Sequence, residues 1–433
     1  MKRDYNKYHA EYRAAEKMKR RLHKIRRKDG KVMKYDFTAI LDRKGHDAIA
    51  VEHIPIPGAE IAEGFSLIPM WVADMNFPTL PTILEEVRER LNHPHFGYFE
   101  LPDAYFESII QWQKDRFGVE GIQREDIGYE NGVLGCVASA LQAFTAPGEA
   151  VLMHSPTYIG FTGTMESNGR KIVLSDLKRD EEGVWRMDYE DMEKKLREHR
   201  IHCVIFCSPH NPTGRVWERA ELERAMELFR KYDCIVISDE IWSDIVLDRA
   251  KHIPTQSVSE DAKNRTIAVY APSKTFNLAG LVGSYHVIRN SWLRDRLEKV
   301  SAMSHYNTPN VLSVHALIGA YKPEGREWVD ELCQVLGENA AYACDFIEQK
   351  FHGVSLARPQ GTYMLYLDCE AWCREHGKTL DELLAAGVRV GVIWQDGRPF
   401  NRPYSIRMNL ALPHVRVKEA MERLDRYVFN GSL

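Results

Sequence analysis

The sequence predicts an α/β protein: a mainly parallel sheet in a large domain, with a smaller α+β domain after it. Two observations carry this expectation. Between about residues 130 and 290, short apolar, β-branched runs alternate with helical patterns, which calls for a parallel sheet covered on both faces. After Ser291 the chain turns helical, then closes with two strand-like runs and a last helix. The 433 residues are 44% hydrophobic and 28% charged, which excludes a mostly disordered or collagen-like chain. At roughly 100–200 residues per domain, the length suggests two or three domains.

Taken in order, residues 1–33 form a basic N-terminal extension. Residues 1–34 hold fourteen Lys/Arg against four Asp/Glu, a net of +10, which leaves −14 for the rest of a chain whose total is −4. Glu16–Lys28, EKMKRRLHKIRRK, has the composition of a basic helix for an acidic surface or nucleic acid. Terminal charge runs of this kind are ordinarily solvated arms. The acidic body argues against nucleic acid as the main partner and suits an enzyme handling small molecules. The start of the chain lacks the apolar stretch of a secretory signal, and no run of 18 apolar residues marks a membrane span. Eight scattered cysteines without a CxxC pair read as a reduced, cytoplasmic protein. Residues 34–80 are expected to join the small domain, 81–320 to form the large one, and 321–433 the small C-terminal one.

Strands are expected at Ala150–His154, His202–Cys207, Cys234–Ser238, Thr266–Tyr270 and Tyr285–Ile288. Helical spacing marks Asp191–His199, Glu218–Tyr232, Leu293–Ser304, Val311–Tyr321, Trp328–Lys350 and a closing helix near Val417–Tyr427. Two further strands fall at Tyr363–Leu367 and Tyr404–Asn409. Ligands of open α/β sheets bind beyond the carboxyl ends of the strands, so the loops there are the place to look for chemistry. After Cys207 comes Ser-Pro-His-Asn-Pro-Thr-Gly, a rigid turn presenting the amide of Asn211. After Ser238 comes Asp239, an acid at a strand end. After Tyr270 comes a loop of small and apolar residues holding Lys274, where burial would lower the amine's pKa and make it a nucleophile. Gly132-Val133-Leu134-Gly135 opens a helix running to Phe144, whose free N–H groups suit a phosphate. An amine, an acid and a phosphate cradle on successive loops of one sheet are the parts that pyridoxal phosphate requires. His93 and His95 flank Pro94 without evident partners and read as loop residues, so no metal site is expected.

The chain resembles the fold-type I pyridoxal-phosphate enzymes of the class I/II aminotransferase superfamily, and within it the cystathionine β-lyase (C–S lyase) branch. The motifs that carry the resemblance are WVADM from Trp71, Phe96-Gly97-Tyr98, SPHNPTGRVW from Ser208, ISDEI from Ile237, APSKTFNLAG from Ala271, PQGTY from Pro359 and RMNLALP from Arg407. By this resemblance Lys274 holds the cofactor and later moves the Cα proton. Asp239 pairs with the pyridine nitrogen, Asn211 meets the phenolic oxygen, and Tyr158 stacks on the ring. Gly132, Val133 and Leu134 give N–H groups to the phosphate, and Ser273 adds a hydroxyl. Tyr98 reaches the phosphate of the neighbouring subunit, which implies a homodimer with shared sites. Arg407 clamps the substrate carboxylate, a task suited to a forked guanidinium.

This chain also departs from the pattern. Val282 stands where many aminotransferases carry a phosphate-clamping arginine, as in the C–S lyase branch. Trp242 replaces a histidine common in the branch and brings an indole to the substrate side. Asn76 replaces a frequent aspartate, and residues 397–402 differ from the usual stretch before the substrate arginine. The implied activity is β-elimination from cystathionine or a related S-substituted cysteine to thiol, pyruvate and ammonia. An aminotransferase shares most of these residues, and a regulatory protein on the same scaffold is a third reading. Release of thiol favours the first, consumption of a keto acid the second, and absence of turnover the third.

Overall fold

The structure, a computed structural model, describes residues 33–303 and 305–431. The basic stretch Glu16–Lys28 therefore lies outside the described residues. Seven strands form the large sheet: β1 (Ile127–Asn131), β2 (Ala150–Ser155), β3 (Lys171–Asp176), β4 (Cys203–Cys207), β5 (Ile235–Asp239), β6 (Thr266–Tyr270) and β7 (Gly283–Val287). Their order across the sheet is β1-β7-β6-β5-β4-β2-β3. Strands β6, β5, β4, β2 and β3 pair in parallel, while β7 runs antiparallel to both β6 and β1.

The strands read as unbroken apolar runs because both faces are covered. Cys203, Ile205 and Cys207 of β4, with Val151 and Met153 of β2, pack on one face. Val204, Phe206 and Leu152 pack on the other. This is the two-residue alternation of a strand buried on both sides. The first face is covered by α3 (Val133–Phe144), α4 (Ile159–Ser167) and α7 (Ser291–Met303). The second is covered by α5 (Tyr189–Glu198) and α6 (Arg219–Lys231), whose apolar positions Leu222, Ala225, Met226 and Phe229 recur at helical spacing. Before the sheet come α1 (Pro81–Leu91) and α2 (Asp103–Phe117).

After the large sheet, α8 (Val311–Ala320) leads into the long α9 (Pro323–Lys350). A four-stranded antiparallel sheet follows, ordered β8-β9-β11-β10 from β8 (Ser355–Leu356), β9 (Met364–Asp368), β10 (Gln395–Asp396) and β11 (Ser405–Asn409). Helices α10 (Glu370–His376), α11 (Leu380–Arg389) and α12 (His414–Leu424) complete it. The chain before the large sheet reaches this region: Ile68–Pro69 pairs in parallel with Val392–Ile393. No helix among the described residues is long and apolar enough to cross a membrane.

The sequence reading located five of the seven large strands to within a residue or two. It missed β1 and β3 and did not foresee the reversed direction of β7. The closing helix begins at His414, earlier than expected, and α12 gives way at Asp425 to one π turn ending at Phe429.

Candidate active site

Because β4, β5 and β6 are parallel, their carboxyl ends open onto one edge, and the chemistry-bearing loops meet there. Asp239 ends β5, is 4% exposed, and accepts a hydrogen bond from the Ile241 N–H at 3.0 Å. Burial pushes its carboxyl up to about 7, although that N–H and Lys274 favour the ionised form. Its neighbour Glu240 is committed elsewhere. It accepts from Tyr270 Oη and the Thr255 N–H at 2.8 and 2.9 Å, and lies 2.8 Å from His252 Nε2. Of the two adjacent acids, only Asp239 lines the cavity. His210, in the turn after β4, is also turned away. Its Nδ1 lies 2.8 Å from Thr213 Oγ1, and burial lowers its pKa to about 3, so it stays neutral.

Lys274 sits in the short helix Pro272–Thr275 after β6, where its Nζ donates to the Ala73 carbonyl at 2.9 Å. Burial, and then the nearby Arg407 cation, lower its pKa to about 8 against the pull of Asp74 and Asp239. Tyr363 donates its hydroxyl to the same Ala73 carbonyl at 3.0 Å, and burial keeps that hydroxyl protonated. Trp242 follows the Asp239 strand end, packs edge-on against Tyr363 at 4.7 Å, and lies 5.8 Å from Lys274 Nζ.

Arg407 lies on β11, opposite Tyr366 of β9. Its guanidinium donates from Nη1 to Asn211 Oδ1 and from Nη2 to the Trp71 carbonyl, both at 3.2 Å. Its Nε is buried without a partner, and the group stacks over Phe400 at 4.8 Å. Burial lowers its pKa to about 10, which leaves it charged near neutral pH. A charged fork with an orphaned buried N–H has the donors to receive a carboxylate.

Gly132 caps α3 at φ 84°, a left-handed conformation that glycine adopts without strain. The first N–H groups of α3 have no intrahelical acceptor and point out of the helix end. A Cβ on Gly135 would fall 2.7 Å from the Tyr306 ring, and one on Gly160 would fall 2.5 Å from the Tyr158 ring. The two glycines therefore let aromatic rings close on the cradle. Tyr158, at the start of α4, packs edge-on against Phe161, and burial raises its hydroxyl pKa. Val282 holds the unusual φ of 65° beside Gly132 and is half-exposed.

One cavity of about 370 Å³ joins these parts. It is lined by Gly132, Val133, Leu134, Tyr158, Asn211, Asp239, Trp242, Ser273 and Lys274, with Val282 at its mouth. Arg407 reaches it through Asn211. Tyr98 alone stands apart, fully exposed on the surface of the chain. His93 and His95 are exposed, with rings 6.0 Å apart. Among the described residues, the one group of three metal-capable side chains is Glu130, Cys136 and His286, which includes neither of those histidines. The amine, the buried acid, the glycine-capped helix end and the aromatic ring of Tyr158 fit pyridoxal phosphate in charge and size.

Sequence reasoning missed how this edge is roofed. The strap of residues 71–76 is held through its backbone. Asn409 Nδ2 donates to the Val72 and Asp74 carbonyls, and Asn277 exchanges two 3.0 Å hydrogen bonds with Met75. The Asp74 side chain is paired with Arg43. A carbonyl acceptor leaves no mark on residue type, so nothing in the sequence marked this roof.

This fold and cavity define a fold-type I pyridoxal-phosphate enzyme. The chain belongs to the aminotransferase class I and II family, whose model matches residues 68–424. It is 34% identical to cystathionine beta-lyase PatB of Bacillus subtilis, over 74% of this chain and 82% of that one. It is 29% identical to the protein MalY of Escherichia coli, over 90% and 98% respectively. The crystal structure of the PLP-bound C-S lyase from Staphylococcus hominis superposes with a TM-score of 0.82 at 29% identity, covering 92% of this chain and 100% of that one.

Proposed function

We propose that this chain is a pyridoxal-phosphate-dependent C–S β-lyase that cleaves cystathionine or related S-substituted L-cysteines to thiol, pyruvate and ammonia. The observation that carries the reading is the convergence of Lys274, Asp239 and Arg407 on one cavity, in a chain similar to cystathionine β-lyases. Lys274 would hold the cofactor, Asp239 its ring nitrogen, Asn211 its phenolic oxygen, and Tyr158 its face. The N–H groups from Gly132 to Leu134, with Ser273, would hold the phosphate. When bound, the cofactor supplies an electron sink for negative charge at the substrate Cα.

The protein's own residues do the rest. Arg407 receives the substrate carboxylate, which takes the place of the Trp71 carbonyl and satisfies the orphaned Nε. Lys274, with a pKa of about 8, is neutral in a usable fraction near neutral pH and accepts the Cα proton at Nζ. The C–H electron pair ends in a new Cα=Cβ bond, and the C–S pair leaves on sulfur, which takes up a proton. Water then converts the released enamine to pyruvate and ammonia.

The same reading includes a homodimer in which Tyr98 of each copy completes the other's phosphate site. The full exposure of Tyr98 and the 57% exposure of Phe96 support it. A reducing, cytoplasmic setting accords with the eight free cysteines, seven of them buried. The test is a spectrum of the purified holoprotein beside that of Lys274→Ala, each challenged with L-cystathionine. The native protein should show an absorbance band near the visible edge and release thiol. The variant should lose both. A variant that keeps the band overturns the assignment of Lys274.

A further inference from the structure

We infer that Trp242, braced by Tyr363, selects S-substituted L-cysteines whose leaving thiol is uncharged and aromatic over those whose leaving thiol carries a second charged head group. This rests on the β-lyase reading above. Trp242 lines the cavity, is 2% exposed, and lies 5.8 Å from the Lys274 amine that would take the Cα proton. A substituent on Cβ, one bond away, comes up against the indole. Tyr363 holds that indole edge-on at 4.7 Å, and its hydroxyl is already committed to the Ala73 carbonyl. The wall therefore presents an aromatic ring to whatever the sulfur carries.

Charge excludes the alternative. The charged side chains lining the cavity are Asp239 and Lys274, both engaged by the cofactor in this reading. Arg407 is engaged by the α-carboxylate. The next charges, Asp74 and Arg43 of the strap region, are already paired with each other. Among the described residues of one chain, no uncommitted charged side chain lines the cavity to meet the ammonium and carboxylate at the far end of cystathionine, and burying them unpaired is unfavourable. An aryl ring instead gains an edge-to-face partner in Trp242, and the thioether sulfur gains a ring contact.

The holoenzyme should be assayed for pyruvate release with S-benzyl-L-cysteine and L-cystathionine. Both leave as alkyl thiols, so leaving-group acidity does not set the ratio. The expected kcat/KM ratio favours S-benzyl-L-cysteine by about tenfold or more, the size of discrimination a pocket exerts through burial of mismatched groups. Trp242→His should narrow the ratio about three- to tenfold, the worth of one aromatic pair, while Trp242→Phe should keep most of it. The α-methyl analogues of both substrates lack the proton that Lys274 removes. Their Kd ratio, read by calorimetry, should follow the same order. A native ratio at or below one, in turnover or in binding, overturns the inference, as does a ratio that neither variant moves. If no substrate yields pyruvate, the β-lyase reading fails, and the binding ratio still decides whether Trp242 selects aromatic groups.

Discussion

The Lys274 amine should capture cofactor at a pH where an ordinary lysine could not. Its Nζ is buried at the strand edge, near the Arg407 cation, and its pKa falls from 10.5 to about 8. A shifted amine of this kind is about one-quarter neutral at pH 7.5, against about one part in a thousand for an ordinary lysine, so its nucleophilic fraction is about 200-fold larger. The sign follows from which form burial disfavours. The folded chain loses the Lys274 proton near pH 8, whereas the unfolded chain keeps it until about 10.5. The group therefore opposes folding of the cofactor-free protein below pH 8, and this cost is relieved as the pH rises between the two values. The assay is the rate at which cofactor-free protein regains its absorbance band after addition of pyridoxal phosphate, followed from pH 6 to 10. The rate should rise and level off near pH 8. A rate that keeps climbing tenfold per pH unit to pH 10 would refute the argument, because it would show an amine with an ordinary pKa.

Other perturbations separate the parts of the account. Arg407→Ala removes two charge-assisted contacts of about 1.5–3 kcal/mol each, so kcat/KM should fall about 10²- to 10⁴-fold, mainly through KM. A fall of less than fivefold in a folded variant would show that the carboxylate binds elsewhere. Arg407→Lys keeps the charge and loses the fork, and steady-state kinetics should place it between the two. Val282→Gly relieves a β-branched residue at φ 65° on a half-exposed site, and it should raise stability by about 1 kcal/mol, seen as a higher thermal midpoint. A lower midpoint would mean that Val282 packs better than its exposure implies. Ile205→Ala empties a position 2% exposed between β2 and β5 and should cost about 3–4 kcal/mol, lowering the thermal midpoint while the absorbance band persists.

The sequence was most legible where burial is most complete. Strands β4, β5 and β6 are apolar on both faces, and their expected limits fell within one or two residues of those found. Strand β3, Lys-Ile-Val-Leu-Ser-Asp, lies at the sheet edge with alternating exposure and carries charged residues at both ends, so it reads as surface. The reversal of β7 is invisible in composition, because direction follows from the connection rather than from residue type. In the cavity, side chains with their own chemistry stood out in the sequence: Lys274, Asp239 and Asn211 stand in loops and strand ends of unusual composition, whereas Arg407, in the middle of β11, came only from the family resemblance. The Ala73 carbonyl, which meets both Lys274 and Tyr363, escaped notice because a backbone acceptor belongs to every residue alike. Tyr363 was read only as part of a motif, since its engagement with that carbonyl exists only once the strap is in place.

The central claim is the direction of the electrons after the Cα proton leaves. It is tested most directly by product stoichiometry, with holoenzyme and an S-substituted L-cysteine in the absence of any keto acid. Thiol, pyruvate and ammonia in equal amounts, over many turnovers, are the predicted result. A protein that releases no thiol, and consumes the amino acid only after a keto acid is added, would be an aminotransferase and would contradict it.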